Sequence, residues 1–229
     1  MNTLGIIIAC GKEEEIASGT EAAFLTLGNT PMIVHTLRTF QDSAAVDGVI
    51  VAVSKERVDA TIHAIKRYGC TKVCGVVIGG VNRLSTLRTV YAKMPESASI
   101  VVIHEASRPF VRKTVLAETV KAAKRYGCAV AAHKVPDATK SVPKGMKATK
   151  TNERNTVWAV QTPQAFKSDV LEKIIDTKAR VAVKIIDDES EFVRKPAEVH
   201  MVEAGSGNIK IRTKQDLAIA TAMQNANIS

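Results

Sequence analysis

The feature that most constrains the fold is the alternation of short, β-branched apolar runs with amphipathic segments. Continuous apolar runs are typical of strands buried on both faces, and the segments between them have helical periodicity. The predicted strands are GIIIA (5–9), GVIVAV (48–53), VCGVVI (73–78), SIVVIH (99–104) and AVAAHKV (129–135), and the predicted helices are 31–43, 55–68, 82–94 and 112–126. This order predicts an α/β fold with a mostly parallel, doubly wound sheet and helices on both faces.

The alternation is interrupted at residues 134–156, where Pro, Thr and Lys dominate. This segment is too long for an ordinary connection, so it is either a disordered loop or an extended β-arm that packs on a partner. The alternation in MKATKTN favours the arm. The later elements begin with the segment WAVQTPQAF (158–166). After it we predict a helix at 168–178, an acidic turn at 185–192, a strand at 199–204 and a helix at 213–225. No domain boundary is evident, so residues 1–229 are predicted to form a single domain.

The pentapeptide KRYGC occurs twice, at 66–70 and 124–128. Each copy lies between a predicted helix and a predicted strand. Gly69 and Gly127 are therefore predicted to end their helices in the left-handed conformation. One repeated pentapeptide does not establish a repeat architecture.

Composition excludes several classes of protein. Apolar residues make up 45% of the 229 residues and charged residues 24%, which are globular values. No apolar run is long enough for a membrane span, and the N-terminal run lacks a basic flank, so we expect a cytoplasmic protein. The four cysteines form no C-x-x-C pair and are expected to be buried thiols, and the five histidines have no zinc-site spacing.

The net charge of +9 is concentrated in one part of the chain. Residues 108–154 carry twelve Lys or Arg and three Asp or Glu. A basic region of this kind fits a phosphorylated ligand, a nucleic-acid surface or a solvated face. The chain has only nine aromatic residues, which argues against recognition of stacked bases. We therefore expect no nucleic-acid partner and no membrane partner.

Ligands of open α/β sheets bind beyond the carboxyl ends of the strands. The first strand ends in Ala9-Cys10-Gly11, but Glu13, Glu14 and Glu15 follow where a phosphate loop would carry glycine and basic residues. The third strand is followed by Gly79, Gly80 and Arg83. Arg83 falls in the first turn of a helix, where the dipole disfavours a cation, so it indicates an anionic partner, although a plain tight turn is the alternative.

The fourth strand ends in Glu105, three residues before Arg108. This pair fits a magnesium ion with a phosphate, or an ion pair within a loop. Further polar residues stand at Asp137, Thr139 and Lys140, at Arg154, in QTPQ (161–164) and in Asn208-Ile209-Lys210. Each of these is more often structural when taken alone, and we interpret QTPQ as a rigid turn. Acids at 187–189 are most simply a helix N-terminus.

As an ordered set, these motifs resemble a known family. GG-x-x-R, H-[DE]-x-x-R-P, V-x-D-x-x-K, T-x-x-R, Q-T-P-Q and N-I-K occur in the order and at the spacing of the 2-C-methyl-D-erythritol 4-phosphate cytidylyltransferases. These are transferases of the non-mevalonate route of isoprenoid biosynthesis, and the ribitol-5-phosphate cytidylyltransferases are similar to them. The resemblance covers nearly the whole chain.

The resemblance implies a Rossmann-like nucleotidyltransferase fold, a homodimer whose β-arms embrace, and Mg²⁺. It implies transfer of CMP from CTP to a sugar-alcohol phosphate with release of pyrophosphate. The implied nucleotide-binding residues are Ala9, Cys10, Gly11, Gly79, Gly80, Arg83, Thr86 and Glu105, and Glu105 is also the implied metal ligand. The implied substrate-binding residues are Arg108, Asp137, Thr139, Arg154 and Lys210, of which Arg154 and Lys210 are also the catalytic candidates. Arg154 would reach the acceptor phosphate in the partner subunit.

The first loop departs from the family pattern P-A-A-G-x-G-x-R-M and P-K-Q. Glu13 replaces a glycine, Glu15 replaces the arginine and Ala22 replaces the lysine. These two cations grip the triphosphate in the family. Phosphoryl transfer depends mostly on positioning and electrostatics, so each lost cation lowers the rate by about 10²–10³. The alternative to an active cytidylyltransferase is therefore a catalytically impaired paralogue that acts as a binding or regulatory protein. A second alternative is the ribitol-5-phosphate acceptor.

Overall fold

The computed structural model describes residues 2–11, 14–17, 19–143, 145–180 and 189–226, without the side chains of 177–180 and 192. Its strands are β1 (Thr3–Ala9), β2 (Glu15–Ala17), β3 (Thr20–Glu21), β4 (Thr26–Leu27), β5 (Thr30–Pro31), β6 (Gly48–Val53), β7 (Val73–Ile78), β8 (Ile100–Glu105), β9 (Gly127–Lys134), β10 (Lys140–Ser141), β11 (Lys150–Thr151), β12 (Trp158–Lys167) and β13 (Glu198–Glu203). Its α-helices are α1 (Met32–Gln41), α2 (Val58–Arg67), α3 (Arg83–Tyr91), α4 (Lys113–Tyr126), α5 (Ser168–Arg180) and α6 (Lys214–Asn225). Short 3₁₀ helices lie at Ala22–Phe24, Lys55–Arg57, Arg154–Thr156 and Glu189–Phe192.

Seven of these strands form one sheet in the order β13-β9-β12-β8-β1-β6-β7. The pairs β1 with β6, β1 with β8, β6 with β7 and β9 with β13 are parallel. Strand β12 runs antiparallel to both β8 and β9. The predicted mostly parallel α/β sheet is confirmed, and all five predicted early strands and all four predicted early helices are present.

The apolar runs are continuous because the sheet is covered on both faces. Leu4, Ile6 and Ile8 of β1 pack in one buried cluster with Leu87 and Val90 of α3 and Leu171 and Ile174 of α5. Their neighbours Ile7 and Ala9 pack in a second cluster with residues of α1 and α4. Side chains alternate across a strand, so a strand between two helical layers needs apolar residues at every position.

Both copies of KRYGC end a helix as predicted. Gly69 has a φ of +65° and Gly127 a φ of +94°, which is the left-handed region. Gly127 is the C-cap of α4, and its N–H donates to the carbonyl oxygen of Ala123.

Two local predictions were wrong. QTPQ (161–164) is part of β12 and not a turn, and the pairing register with β9 shifts between Val160 and Gln164. Pro163 has no N–H to donate, and it lies within this irregular stretch. Cys74 is an exposed thiol and not a buried one, because β7 is the edge strand of the sheet, whereas Cys10, Cys70 and Cys128 are buried and free of disulfide bonds.

The segment 134–156 contains an antiparallel hairpin of β10 and β11, with Lys140 opposite Thr151. The described residues, which omit 144, thus contain the paired strands that a β-arm needs, and packing of this segment on a partner stays a prediction. Within the described part of the chain, no helix is long and apolar enough to cross a membrane.

Candidate active site

A cavity of about 160 Å³ lies at the carboxyl edge of the central strands. Strands β1 and β8 end there, α3 begins there, and the first half of the antiparallel β12 reaches the same edge. The lining side chains are those of Ile8, Cys10, Glu14, Arg83, Glu105, Arg108, Val160, Gln161, Thr162, Gln164, Lys210 and Arg212. Most of them are polar or charged, so the cavity suits a polar, ionic ligand.

Glu105 lies at the centre of the charged groups in this cavity. Its Oε1 is 2.7 Å from Lys210 Nζ and 3.3 Å from Arg83 Nη1, and its Oε2 accepts from Arg108 Nε at 2.8 Å. Burial by itself would raise the pKa of Glu105, but the three cations hold that pKa well below its usual range. The carboxylate is therefore ionised at neutral pH.

Arg83 begins α3 and is 7% exposed. Its Nε and Nη2 donate to the two carboxylate oxygens of Glu189 at 2.8 and 2.9 Å, a bidentate pair. Burial by itself lowers the pKa of Arg83, but Glu189 and Glu105 more than offset this effect and raise it. The anionic partner that the position of Arg83 indicated is thus a carboxylate of the same chain.

Glu14 is the third buried carboxylate of the cavity, with 3% exposure. Its Oε1 is 3.0 Å from Lys210 Nζ, and its Oε2 accepts from the backbone N–H of Ser107 at 3.3 Å. Burial raises the pKa of Glu14, and Lys210 acts in the opposite direction. Lys210 therefore bridges Glu14 and Glu105.

A hydrogen-bonded chain fixes the end of β8. The N–H of Glu105 donates to Thr162 Oγ1 at 3.1 Å, and that hydroxyl lies 3.0 Å from His104 Nδ1. His104 Nε2 lies 3.1 Å from the carbonyl oxygen of Arg108. The tautomer that satisfies all three contacts carries its proton on Nε2. Burial lowers the pKa of His104 to about 4, so the ring is neutral at physiological pH and serves to position Glu105 and Arg108.

Asn208 fixes the segment that carries Lys210. Its Nδ2 donates to Gln161 Oε1 at 3.0 Å and to the carbonyl oxygen of Thr162 at 2.8 Å. The backbone carbonyl oxygen of Asn208 accepts from Arg108 Nη1 at 2.9 Å. QTPQ and NIK, two motifs distant in sequence, therefore meet and hold the cavity wall together.

The glycine pair after β7 forms a tight turn against α3. A side chain at Gly79 would place its Cβ 2.1 Å from Cys10 Sγ, so only glycine fits. The N–H of Gly80 donates to Thr86 Oγ1 at 3.0 Å, and Asn82 caps α3 by accepting from the N–H of Ser85. Thr86 is fully buried, and its hydroxyl holds this turn.

The structure brings five of the predicted site residues into the cavity wall: Cys10, Arg83, Glu105, Arg108 and Lys210. Five others stand beside the cavity without lining it: Ala9, Gly11, Gly79, Gly80 and Thr86. The three predicted arm residues, Asp137, Thr139 and Arg154, lie outside the cavity of this chain. Asp137 and Arg154 are exposed, and Thr139 is half-buried.

The substituted positions of the first loop have different surroundings. Glu15 is half-buried in β2, and its carboxylate accepts from the N–H of Gly19 at 3.2 Å. Ala22 is fully buried in an apolar cluster with Leu27 and Met32. Glu13 lies outside the described residues. Neither Glu15 nor Ala22 lines the cavity.

The donors around Glu105 do not fit a magnesium site in this arrangement. Both of its oxygens are already held by cations, at distances of 2.7 to 3.3 Å. Mg²⁺ needs carboxylate oxygens that are free to enter an octahedral shell. Among the described residues, no group of three or more His, Cys, Asp or Glu could hold a metal ion.

Sequence reasoning missed five residues of the site. Glu14 appeared only as one of three loop acids, Glu189 was assigned to a helix N-terminus, and Gln161 and Thr162 were assigned to a turn. Arg212 also lines the cavity. The pairs Arg83–Glu189 and Lys210–Glu14 join residues far apart in sequence, and no local spacing signals them. The sequence indicated this network only through Arg83, because the helix dipole disfavours a cation in the first turn and an anion nearby offsets that.

Comparison with known proteins gives one consistent family. The family described as "IspD: 2-C-methyl-D-erythritol 4-phosphate cytidylyltransferase" matches residues 3–225. The protein of that name from Shouchella clausii is 34% identical over 222 residues, which cover 96% of this chain and 95% of the relative. The one from Geobacillus thermodenitrificans is 32% identical over 229 residues and covers 100% of both chains.

Solved structures agree on the fold. The structure of 4-diphosphocytidyl-2C-methyl-D-erythritol synthase from Anaerococcus prevotii superposes with a TM-score of 0.87 at 24% identity, covering 98% of this chain and 96% of that one. The structure of 2-C-methyl-D-erythritol 4-phosphate cytidylyltransferase from Thermus thermophilus gives a TM-score of 0.76 at 25% identity, covering 98% of this chain and 100% of that one. The Rossmann-like nucleotidyltransferase fold predicted from the motifs is confirmed.

Proposed function

Because this chain belongs to the 2-C-methyl-D-erythritol 4-phosphate cytidylyltransferase family, we propose that it transfers CMP from CTP to 2-C-methyl-D-erythritol 4-phosphate and releases pyrophosphate. The observation that carries the proposal is that residues 3–225 match the family, and that five residues predicted from its motifs line one cavity. Nothing in the comparisons favours the impaired paralogue. The named relatives also favour methylerythritol phosphate over ribitol phosphate as the acceptor.

In the proposed reaction, an oxygen of the acceptor phosphate attacks the α-phosphorus of CTP, and the bond to the pyrophosphate oxygen breaks. Such a reaction needs positioning and positive charge near the phosphates more than covalent chemistry by the protein. Lys210, Arg108 and Arg212 line the cavity and carry the positive charge that the phosphates would meet. Thr86 holds the turn after β7, and His104 positions the end of β8.

The acceptor is proposed to bind between subunits of a homodimer. Arg154 and Asp137 are exposed on or beside the arm and do not line this chain's cavity, so they are free to serve a partner's site. The arm also exposes apolar side chains, with Met146 98% exposed and Val142 46% exposed. Exposed apolar residues on a protruding hairpin are typical of a surface that a partner covers.

Magnesium and the cytoplasmic location remain proposals that rest on the family resemblance. Because both oxygens of Glu105 are held by cations, Mg²⁺ would enter with the nucleotide, and it would supply positive charge near the phosphates. Activity is expected to disappear when EDTA removes divalent ions and to return when Mg²⁺ is added in excess. Activity that survives EDTA treatment would contradict the magnesium proposal.

The direct test is pyrophosphate release by the purified protein with CTP, Mg²⁺ and methylerythritol phosphate, with ribitol phosphate in a parallel reaction. We expect release with methylerythritol phosphate and little with ribitol phosphate. Faster release with ribitol phosphate would favour the second acceptor. A folded dimer that releases no pyrophosphate with either acceptor would favour the impaired paralogue.

A complementation test addresses the shared site. Arg154→Ala and Lys210→Met are each expected to be inactive as homodimers. If Arg154 acts in the partner's site, mixed dimers of the two variants contain one intact site, and about a quarter of the wild-type activity returns for random mixing with two sites per dimer. Mixing without any recovery of activity would place Arg154 in its own subunit's site.

A further inference from the structure

Glu14 occupies a place in the cavity that has the chemistry of a phosphate site. An ammonium group and a backbone N–H converge on its carboxylate, from Lys210 at 3.0 Å and from Ser107 at 3.3 Å. A cation together with a backbone amide is the usual donor set for a phosphate oxygen. The Glu14 carboxylate is thus bound as an external anion would be.

The charges of the described cavity residues support this view of Glu14. Ion pairs join three carboxylates and three cations into one buried group: Glu14, Glu105, Glu189, Arg83, Arg108 and Lys210. The group is neutral as it stands. Arg212, which also lines the cavity, is exposed and adds one positive charge. A polyphosphate that entered would add several negative charges, more than Arg212 offsets, so the release of a cation by a resident carboxylate would strengthen its binding.

The size of the cavity leads to the same conclusion. Its volume of about 160 Å³ is below the roughly 300–1,000 Å³ of ordinary ligand pockets. Glu14 lines this space, and its N–H bonds to the carbonyl oxygen of Gly11 at 2.9 Å in the turn after β1. Withdrawal of the Glu14 side chain would widen the cavity and remove one of the two carboxylate partners of Lys210 Nζ.

We propose that Glu14 is an internal competitor for the phosphate subsite formed by Lys210 and the N–H of Ser107, and that its carboxylate must leave before a ligand phosphate binds there. The inference rests on the proposed function only in taking a polyphosphate compound as the competing ligand. Glu15, which stands where the family has arginine, is bonded to Gly19 and does not line the cavity.

The test is the affinity for inorganic pyrophosphate, measured by calorimetry on Glu14→Gln and on the unaltered protein. Glutamine keeps the size and the acceptor oxygen but removes the charge that neutralises Lys210. We expect affinity to rise on the order of tenfold. Glu56→Gln is the matched control, because it removes one negative charge from an exposed position outside the cavity, and its affinity is expected to stay within about twofold.

Equal or weaker pyrophosphate binding by a folded Glu14→Gln protein would overturn the proposal. A rise of the same size in Glu56→Gln would also overturn it, since net charge alone would then explain the result. If Glu14→Gln does not fold, hydrogen exchange on the unaltered protein decides. Peptides that contain Glu14 are expected to exchange faster when pyrophosphate is bound, and slower exchange would contradict displacement of this residue.

Failure of this inference can be told apart from failure of the proposed function. Pyrophosphate binding needs no acceptor and no turnover, so it reports on the subsite alone. Tighter binding in Glu14→Gln with no product from CTP would support the subsite and contradict the activity. Product formation without any change in pyrophosphate affinity would support the activity and contradict the proposed role of Glu14.

Discussion

The cavity and the arm both carry basic residues, but they hold them in opposite ways. In the cavity, Arg83 and Lys210 are largely buried and paired with carboxylates. On the arm, Lys150 and Arg154 are exposed, and no ion pair joins them within the described residues. A buried charge needs a partner inside the protein, whereas an exposed charge is stabilised by water. The paired cations of the cavity are therefore neutralised within the fold, whereas the cations of the arm face water.

The largest expected effect comes from breaking the pairing in the cavity. Glu189→Gln removes the main partner of Arg83 and leaves the buried guanidinium with one direct carboxylate contact among the described residues, Glu105 at 3.3 Å. We expect the free energy of unfolding to fall by about 3–5 kcal/mol, measured by urea denaturation. Glu191→Gln, at an exposed position two residues away, is the control and should change stability by less than about 0.5 kcal/mol. Equal stability of the two variants would show that the Arg83 pair contributes nothing net.

On the arm, the matching change should alter activity and leave stability unchanged. Arg154→Ala is expected to lower kcat/KM for the acceptor by about 10²-fold, because it removes a cation from the proposed phosphate site. Its melting temperature should not move, since Arg154 is exposed. Lys147→Ala, also exposed on the arm, is the control. A drop in melting temperature for Arg154→Ala would mean that this arginine has a structural role.

The first loop provides a sharper form of the comparison, because its two substituted positions differ in burial. Ala22→Lys forces a long, charged side chain into a fully buried apolar cluster and should lower the free energy of unfolding by about 3 kcal/mol, because the apolar cluster provides no partner for an ammonium group. Glu15→Arg, at a half-buried position, should be close to neutral for stability. The double substitution is expected to raise CTP affinity and turnover at a cost in stability. CTP affinity that does not improve would contradict the alignment of this loop.

The smallest expected effect on stability is at Asp47, whose carboxylate is exposed to water but accepts two backbone hydrogen bonds. Asp47 accepts from the backbone N–H groups of Asn2 and Thr3, at 2.8 and 2.9 Å, and these bonds lower its pKa. A carboxyl with a lowered pKa in the folded state stabilises the protein above its unfolded pKa, and this stabilisation is lost as the pH falls through the folded value. Asp47→Asn should therefore reduce stability by less than about 1 kcal/mol at pH 7 and show no difference from wild type near pH 2. A difference that grows toward low pH would contradict this sign.

Much of the fold was predictable because strand and helix formation here depends on local pattern. The runs GVIVAV and VCGVVI became strands with the predicted bounds, Gly48–Val53 and Val73–Ile78. The glycines of KRYGC took the predicted left-handed conformation. QTPQ was misassigned because the residues before and after 161–163 pair with neighbouring strands and carry β12 through this irregular stretch, and the sequence of QTPQ does not show that pairing.

The sequence by itself determined the alternating α/β fold, the hairpin within 134–156 and the positions of the motifs, since each depends on residues close in the chain. Only the tertiary structure decided which charges neutralise each other. Lys210 lies between Glu14 and Glu105, and Arg83 lies against Glu189, because folding brings the ends of separate strands and loops to one edge of the sheet. Burial there removes the water that would otherwise screen each charge, so each cation must find its partner within the fold.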